Sequence, residues 1–175
     1  GIVSLVNVVV GKLEKVQEEV NRQRRLLLQF VRDNELEVFP EIIVMEDFDR
    51  DLKVFLQAHS IGPIKPNVIL FGWAQTIERL PNYYDHLRTV EKLGKSLLVL
   101  VDHGMMIRRG RRKRIDIWWR GRENGSLMVL LAYLMSLNNE WSGCQIRILR
   151  AVRDQISRQR ANQALQKIMD AARMS

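Results

Sequence analysis

VSLVNVVV, residues 3–10, decides the fold. Its apolar side chains fall at both odd and even positions, so a strand made from it has no face left for water. Strands of that kind, rich in valine and buried on both faces, belong to parallel sheets. A parallel strand needs a crossover before its partner, and a helix is the usual one. The next segment supplies it. From Lys12 to about Asp33 the residues Leu13, Val16, Val20, Leu27, Phe30 and Val31 recur at three- and four-residue steps, while Lys, Glu, Gln and Arg fill the other side.

The same alternation continues along the chain. Residues 36–45, LEVFPEIIVM, have strand composition, with Pro40 implying an edge, a bulge or a break because it cannot donate to a ladder. Asp47 or Asp49 can cap a helix with Leu52, Phe55 and Leu56 on its inner stripe. Gly62, Pro63 and Pro66 stop it before a short buried strand, Val68 to Phe71, and Gly72-Trp73 then lies where open α/β sheets gather their ligand-facing loops. A helix over Pro81 to Leu93 and a strand over 96–104 follow, then a basic loop at 104–114 and a strand at 114–121 that can pair with its predecessor as a hairpin. Asn124 can cap an apolar helix to Leu137, Trp141 to Leu149 includes the strand QIRIL, and 153–173 makes an amphipathic helix with Ile156, Ala164, Leu165, Ile168 and Met169 inward. The expected fold is α/β, a doubly wound, mostly parallel sheet with helices on both faces.

With 175 residues and 46% hydrophobic content, the chain suits a single domain spanning 1–175. Its longest apolar run, LMVLLAYLMSL at 127–137, is shorter than the roughly 18 residues of a membrane span. Gly1 opens directly on strand-like sequence, so the chain reads as a fragment of something longer. A single cysteine, Cys144, excludes an internal disulfide framework and points to a reducing compartment. The net charge of +8 suggests anionic partners. Much of it sits in one run, Arg108, Arg109, Arg111, Arg112, Lys113 and Arg114 around Gly110, and outside it the chain is close to balanced.

No catalytic constellation stands out. The first strand-to-helix turn offers only Gly11, and neither glycine-rich phosphate motif occurs, so no nucleotide cofactor is expected from motifs. His59, His86 and His103 are widely separated and none has metal-ligand spacing with Cys144, so no metal is expected. His59 can hydrogen-bond a helix end, His103 reads as a solvated strand terminus, and Cys144 as a small buried apolar residue. Asp102 and Asp116 are the carboxylates worth weighing for acid–base work, but no spacing brings them together, and Asp116 is expected in solvent or beside an arginine. The run 108–114 can meet phosphates of nucleic acid or lipid by charge alone; it lacks interleaved aromatics, so no specific nucleic acid is expected and, near a membrane, anionic headgroups fit better.

Two segments carry more than composition. SIGPIKPNVILFGW, residues 60–73, and RIDIWWRGRENGSLMVLLAYLMSLNNEWSGCQIRIL, residues 114–149, resemble the cytosolic C-terminal domain of the cation-chloride cotransporters (Na-K-Cl and K-Cl cotransporters). The motif positions are Lys65, Pro66, Asn67, Gly72, Ile115, Asp116, Trp118, Trp119, Gly125, Leu130, Trp141, Cys144 and Arg147. The resemblance implies structural roles: Lys65-Pro66-Asn67 as a rigid turn into a central strand, Asp116 capping or pairing, Trp118 and Trp119 filling both sides of a packed strand. It further implies a non-catalytic cytosolic domain on the inner face of a membrane transporter, a homodimer that communicates with its own transmembrane part. Ion-binding residues lie outside this chain. A compact Arg-rich loop stands where animal members often carry a long regulatory insertion, which suggests a prokaryotic or minimal homologue, and the chain resembles only the first part of the family's domain. The implied fold is akin to the universal stress proteins, some of which bind ATP, so a nucleotide-responsive module is the alternative.

Overall fold

In the computed structural model, which describes residues 1–74, 76–102, 113–120 and 124–171 (168–171 by backbone alone), the valine-rich run forms β1 (Ser4–Val10) and the amphipathic segment forms α1 (Leu13–Asp33). Then come β2 (Phe39–Met45), α2 (Phe48–Ala58), β3 (Val68–Gly72), a 3-10 turn (Ile77–Arg79), α3 (Leu80–Lys92), β4 (Ser96–Leu100), β5 (Arg114–Trp118), α4 (Gly125–Ser136), a 3-10 turn (Asn139–Trp141), β6 (Gln145–Leu149) and α5 (Gln155–Ala171). The strands join as three parallel pairs, β1–β2, β3–β4 and β5–β6. The fold is therefore α/β with parallel strands, as expected, but among the described residues its ladders are separate pairs and not one continuous sheet. The expected hairpin of the fourth and fifth strands is corrected: each runs parallel to a different partner. The chain divides between residues 105 and 106 into two compact units.

In the first unit, β1 is covered on both faces, as its two-sided apolar run requires. Asn7 points to α1, where its amide donates to Gln23 Oε1 at 3.0 Å, while Val8 and its register partner Ile43 pack on a core of Met45, Leu52, Leu56 and Val90. Ile69, Phe71 and Leu97 reach the same core from β3 and β4. The turn from β1 to α1 passes through Gly11 at φ +148°, where a Cβ would lie 2.5 Å from Val16 Cγ1, so only glycine lets the helix come down this close to the strand. Strand β2 starts at Phe39 and not at residue 36, because the residues before it close α1: the Asn34 and Leu36 N–H groups donate to the Phe30 and Val31 carbonyls, with Glu35 left-handed at φ 49°. Pro40 sits inside β2 without breaking it. The Phe39 N–H donates to the Val3 carbonyl, so the alternation of a parallel ladder turns the amide position of Pro40 away from β1. Asp47 caps α2 by accepting from the Arg50 N–H at 3.0 Å, and the Asp51 carboxylate accepts from the Asp47 N–H in return.

In the second unit, α4 connects β5 to β6 and packs Val129 and Ala132 on Ile117, with Ile115, Trp119, Met128, Ile146 and Ile148 around them. Helix α4 is apolar on every side, yet only this stripe is buried; Leu130, Tyr133 and Leu134 are exposed, as is Leu137 directly after the helix. Asn124 precedes α4 with helical backbone angles and its side chain caps nothing, contrary to expectation; its carbonyl accepts from the Met128 N–H. In α5 the inward stripe runs through Ala161, which is buried, and Leu165, which is half-buried, and not through Ile156 and Ala164, which face solvent. The side chains of Ile168 and Met169 lie outside the described residues.

Candidate functional site

At the carboxyl ends of β1 and β3 the first unit opens into a cleft of about 870 Å³, lined by Val8 and Val10 from β1, Gly72 and Trp73 from the end of β3, and side chains of α2 and α3. This is where open α/β folds place their ligands. The 3-10 turn and α3 that follows it contribute one face to it: Arg79 closes the turn, and Asn82, Tyr83 and His86 of α3 continue the face at three- and four-residue steps. His86 is 4% exposed and meets the start of α2 with Nε2 at 3.3 Å from both the carbonyl and the Oδ1 of Asp49. Both neighbours only accept, which assigns the proton to Nε2. The Asn82 amide donates to Asp49 Oδ2 at 2.5 Å, and Phe48 stands edge-on to the imidazole at 5.8 Å. Tyr83 lies between Phe71 and Trp73 and, among the described residues, its buried hydroxyl has no hydrogen-bond partner. Burial, and then the neighbouring Tyr84, push the Tyr83 phenol up, so it stays protonated and available as a donor. The cleft thus offers the aromatic rings of Phe48, Trp73 and Tyr83, a cation at Arg79 and several donors. Among the described residues no three His, Cys, Asp or Glu converge as metal ligands.

The two segments singled out in the sequence lie in separate places. Lys65-Pro66-Asn67 forms the turn into β3: the Pro66 carbonyl accepts from the Lys95 ammonium at 2.5 Å and the Asn67 carbonyl from the Ser96 N–H at 2.8 Å. Gly72 ends that strand at the cleft. In the second unit, Asp116 and Arg147 face each other across the β5–β6 register in a two-pronged pair, both bonds 2.8 Å. Ile115 and Trp119 pack on the core. Gly125 begins α4 directly under the Trp119 ring, where a Cβ would come within 2.1 Å of it. The Lys113 ammonium lies 5.3 Å from the Trp141 ring centroid, and the Cys144 N–H donates to the Trp141 carbonyl. Trp118 does not fill the second side of a packed strand; it is 65% exposed, on the same side as Arg114 and Asp116. Cys144 is half-buried. The His59 ring does not bond the helix end either: it meets Ser4 Oγ at 2.9 Å and stacks on Phe55. His103 and Arg108, Arg109, Arg111 and Arg112 lie outside the described residues.

Residues 85–175, just over half of the sequence, match the sequence model of Solute carrier family 12. The chain belongs to that family. A crystal structure of the cytoplasmic domain of a prokaryotic cation chloride cotransporter has the same fold, with a TM-score of 0.74 at 17% identity over 98% of this chain. The solute-carrier chain spans 64% of the length of that domain. The match takes in the whole second unit and reaches back to α3, so the strand motif at 115–119, Gly125 and the Trp141-to-Arg147 segment fall inside it, while Lys65-Pro66-Asn67 and most of the cleft fall outside. No described helix of this solute-carrier chain is long and apolar enough to cross a membrane.

The Asp116–Arg147 pair has a pH signature. The Arg147 guanidinium, by hydrogen bonding first and charge second, with Arg114 adding to it, holds the Asp116 carboxyl below the usual carboxylate range. Because the folded value lies below the unfolded one, the pair's contribution is complete above about pH 4 and fades as pH falls through the depressed folded value. In Arg147→Gln the stability deficit relative to the parent chain is therefore expected to shrink as pH is lowered from about 5 towards 2, measured by urea unfolding. A deficit that stays constant across that range contradicts the assignment.

Proposed function

We propose that this chain is a non-catalytic regulatory and dimerising domain on the cytoplasmic face of a cation-chloride cotransporter. One observation carries the reading: the fold of the whole chain is that of a cytoplasmic domain from a cation chloride cotransporter, in a sequence that belongs to the solute-carrier family. A domain with that role needs surface left over for partners, and α4 supplies it, with Leu130, Tyr133 and Leu134 exposed on a helix apolar all round and Leu137 exposed directly after it. Its partners in this reading are a second copy and the transporter's own membrane-embedded part. In the full transporter, deletion of residues 1–175 is expected to abolish the dimer seen by light scattering and to alter chloride-dependent cation uptake. Unchanged assembly together with unchanged uptake rules the reading out.

The cleft favours a second reading, a nucleotide-responsive module of universal-stress type. Trp73 and Tyr83 present rings to a planar base and Arg79 a charge to phosphate. Against it, the turn after β1 has Gly11 alone and no glycine-rich cradle. Titration calorimetry with ATP, ADP and AMP separates the two: absence of heat at millimolar ligand removes this reading and leaves the first intact.

A further inference from the structure

The parallel strands of the second unit end at one level. Trp118 pairs with Leu149, and the Trp119 N–H donates to the Leu149 carbonyl at 2.7 Å, so the segments leaving the two strands emerge side by side. They bring Arg120 on one side and Arg150, Val152 and Arg153 on the other, all exposed, with Ile156 one step on at the start of α5. Trp118, Val152 and Ile156 are 65%, 41% and 66% exposed. A core-forming sequence would not leave a tryptophan, a valine and an isoleucine in water among three arginines. The described acids nearby are engaged: Asp154 accepts from the Ser157 N–H and hydroxyl, and Asp116 is held by Arg147.

Charge is divided just as unevenly along the chain. Residues 1–102 carry 13 basic and 15 acidic side chains, whereas the described side chains from 113 to 167 carry nine basic and three acidic. The sign therefore changes from slightly negative in the first unit to strongly positive in the second. Arginine for phosphate and carboxylate headgroups, tryptophan at the level of the glycerol backbone and aliphatic residues just beneath make up the composition that water–bilayer interfaces select.

We propose that this rim, Trp118, Arg120, Arg150, Val152, Arg153 and Ile156, docks on the headgroup surface of an anionic bilayer. The proposal deepens the transporter reading, since a domain at the cytoplasmic face has such a surface within reach, and it gives the second unit the membrane-facing role. Charge complementarity favours lipid over a second copy, because two copies of an arginine rim repel.

The test uses the 175-residue chain and vesicles of phosphatidylcholine with or without phosphatidylserine. Binding is expected only to the phosphatidylserine vesicles and weakens as salt rises. Arg120→Gln, Arg150→Gln and Arg153→Gln together should lower the partition coefficient about a hundredfold, at roughly fivefold for each arginine. Trp118 is its own reporter: lipids brominated along the acyl chain should quench part of the tryptophan emission, and Trp118→Phe should abolish that part with the circular dichroism unchanged. Three results overturn the proposal: undiminished binding by the triple variant, loss of binding only when 108–114 is neutralised, or tighter binding to heparin than to the vesicles. A chain that still dimerises without binding vesicles refutes the lipid rim alone. One that binds vesicles but leaves assembly and uptake indifferent to its deletion refutes the transporter reading alone.

Discussion

Gly125→Ala is expected to destabilise the second unit by about 1–3 kcal/mol, out of proportion to a single added methyl. The Trp119 ring occupies the space: an ideal Cβ on residue 125 would lie 2.1, 2.4 and 2.7 Å from three of its carbons. A flexible side chain could swing aside, but this ring is rigid and packed with Ile117, Val129 and Ala132. Either it leaves its rotamer or α4 shifts off the sheet, and both disturb a close-packed core. A double-mutant cycle identifies the cause. Trp119→Ala opens the space, so Gly125→Ala should cost much less on that background than on the parent, measured by guanidinium unfolding. Equal costs on the two backgrounds exclude the ring as the reason for glycine.

Met45→Ala should cost about 2–5 kcal/mol in the first unit, as expected for a large side chain removed from a well-packed interior. Met45 is 2% exposed and closes a cluster with Leu52, Leu56 and Val90, the last with no exposure at all. The cluster collects side chains from all four strands of the unit, so the cavity falls where the β1–β2 and β3–β4 pairs meet around shared helices. Met45→Leu keeps most of the volume and should cost under about 1.5 kcal/mol. If the alanine variant unfolds at the parent's denaturant midpoint, this core does not hold the unit together.

Much of this architecture was legible because burial leaves a periodic mark. The two-sided valine run gave β1, and the three- and four-residue steps gave α1 almost to the residue. Trp118 shows that alternation is legible in a sequence while the packing of a face is not. In RIDIWW the polar residues Arg114 and Asp116 hold alternate positions, and the same alternation carries Trp118 to their side and Trp119 to the core. The resemblance implies a packed neighbour on each side of the strand, and the structure has one only on the Trp119 side. The cleft was hidden for another reason. Its acidic partner Asp49 and its histidine His86 are 37 residues apart, and only the packing of α2 against α3 brings them within 3.3 Å. The face Arg79, Asn82, Tyr83, His86 could have been marked as polar-aromatic on one side of a helix, but nothing local tells which cavity that face borders. Gly125 was recognisable as a motif position, whereas its reason, an aromatic ring six residues earlier, exists only in three dimensions.

Pro40 bears on how this protein avoids unwanted company. With β1 on one side, the other edge of β2 carries no described strand, and a bare edge of seven residues is long enough to recruit a foreign strand. The missing amide of Pro40 points out of that edge, so a chain laid along it finds one carbonyl unanswered near the start of the ladder. Edge-to-edge pairing of this solute-carrier domain with a foreign strand, the first step towards fibres, therefore meets an interruption built into the sequence.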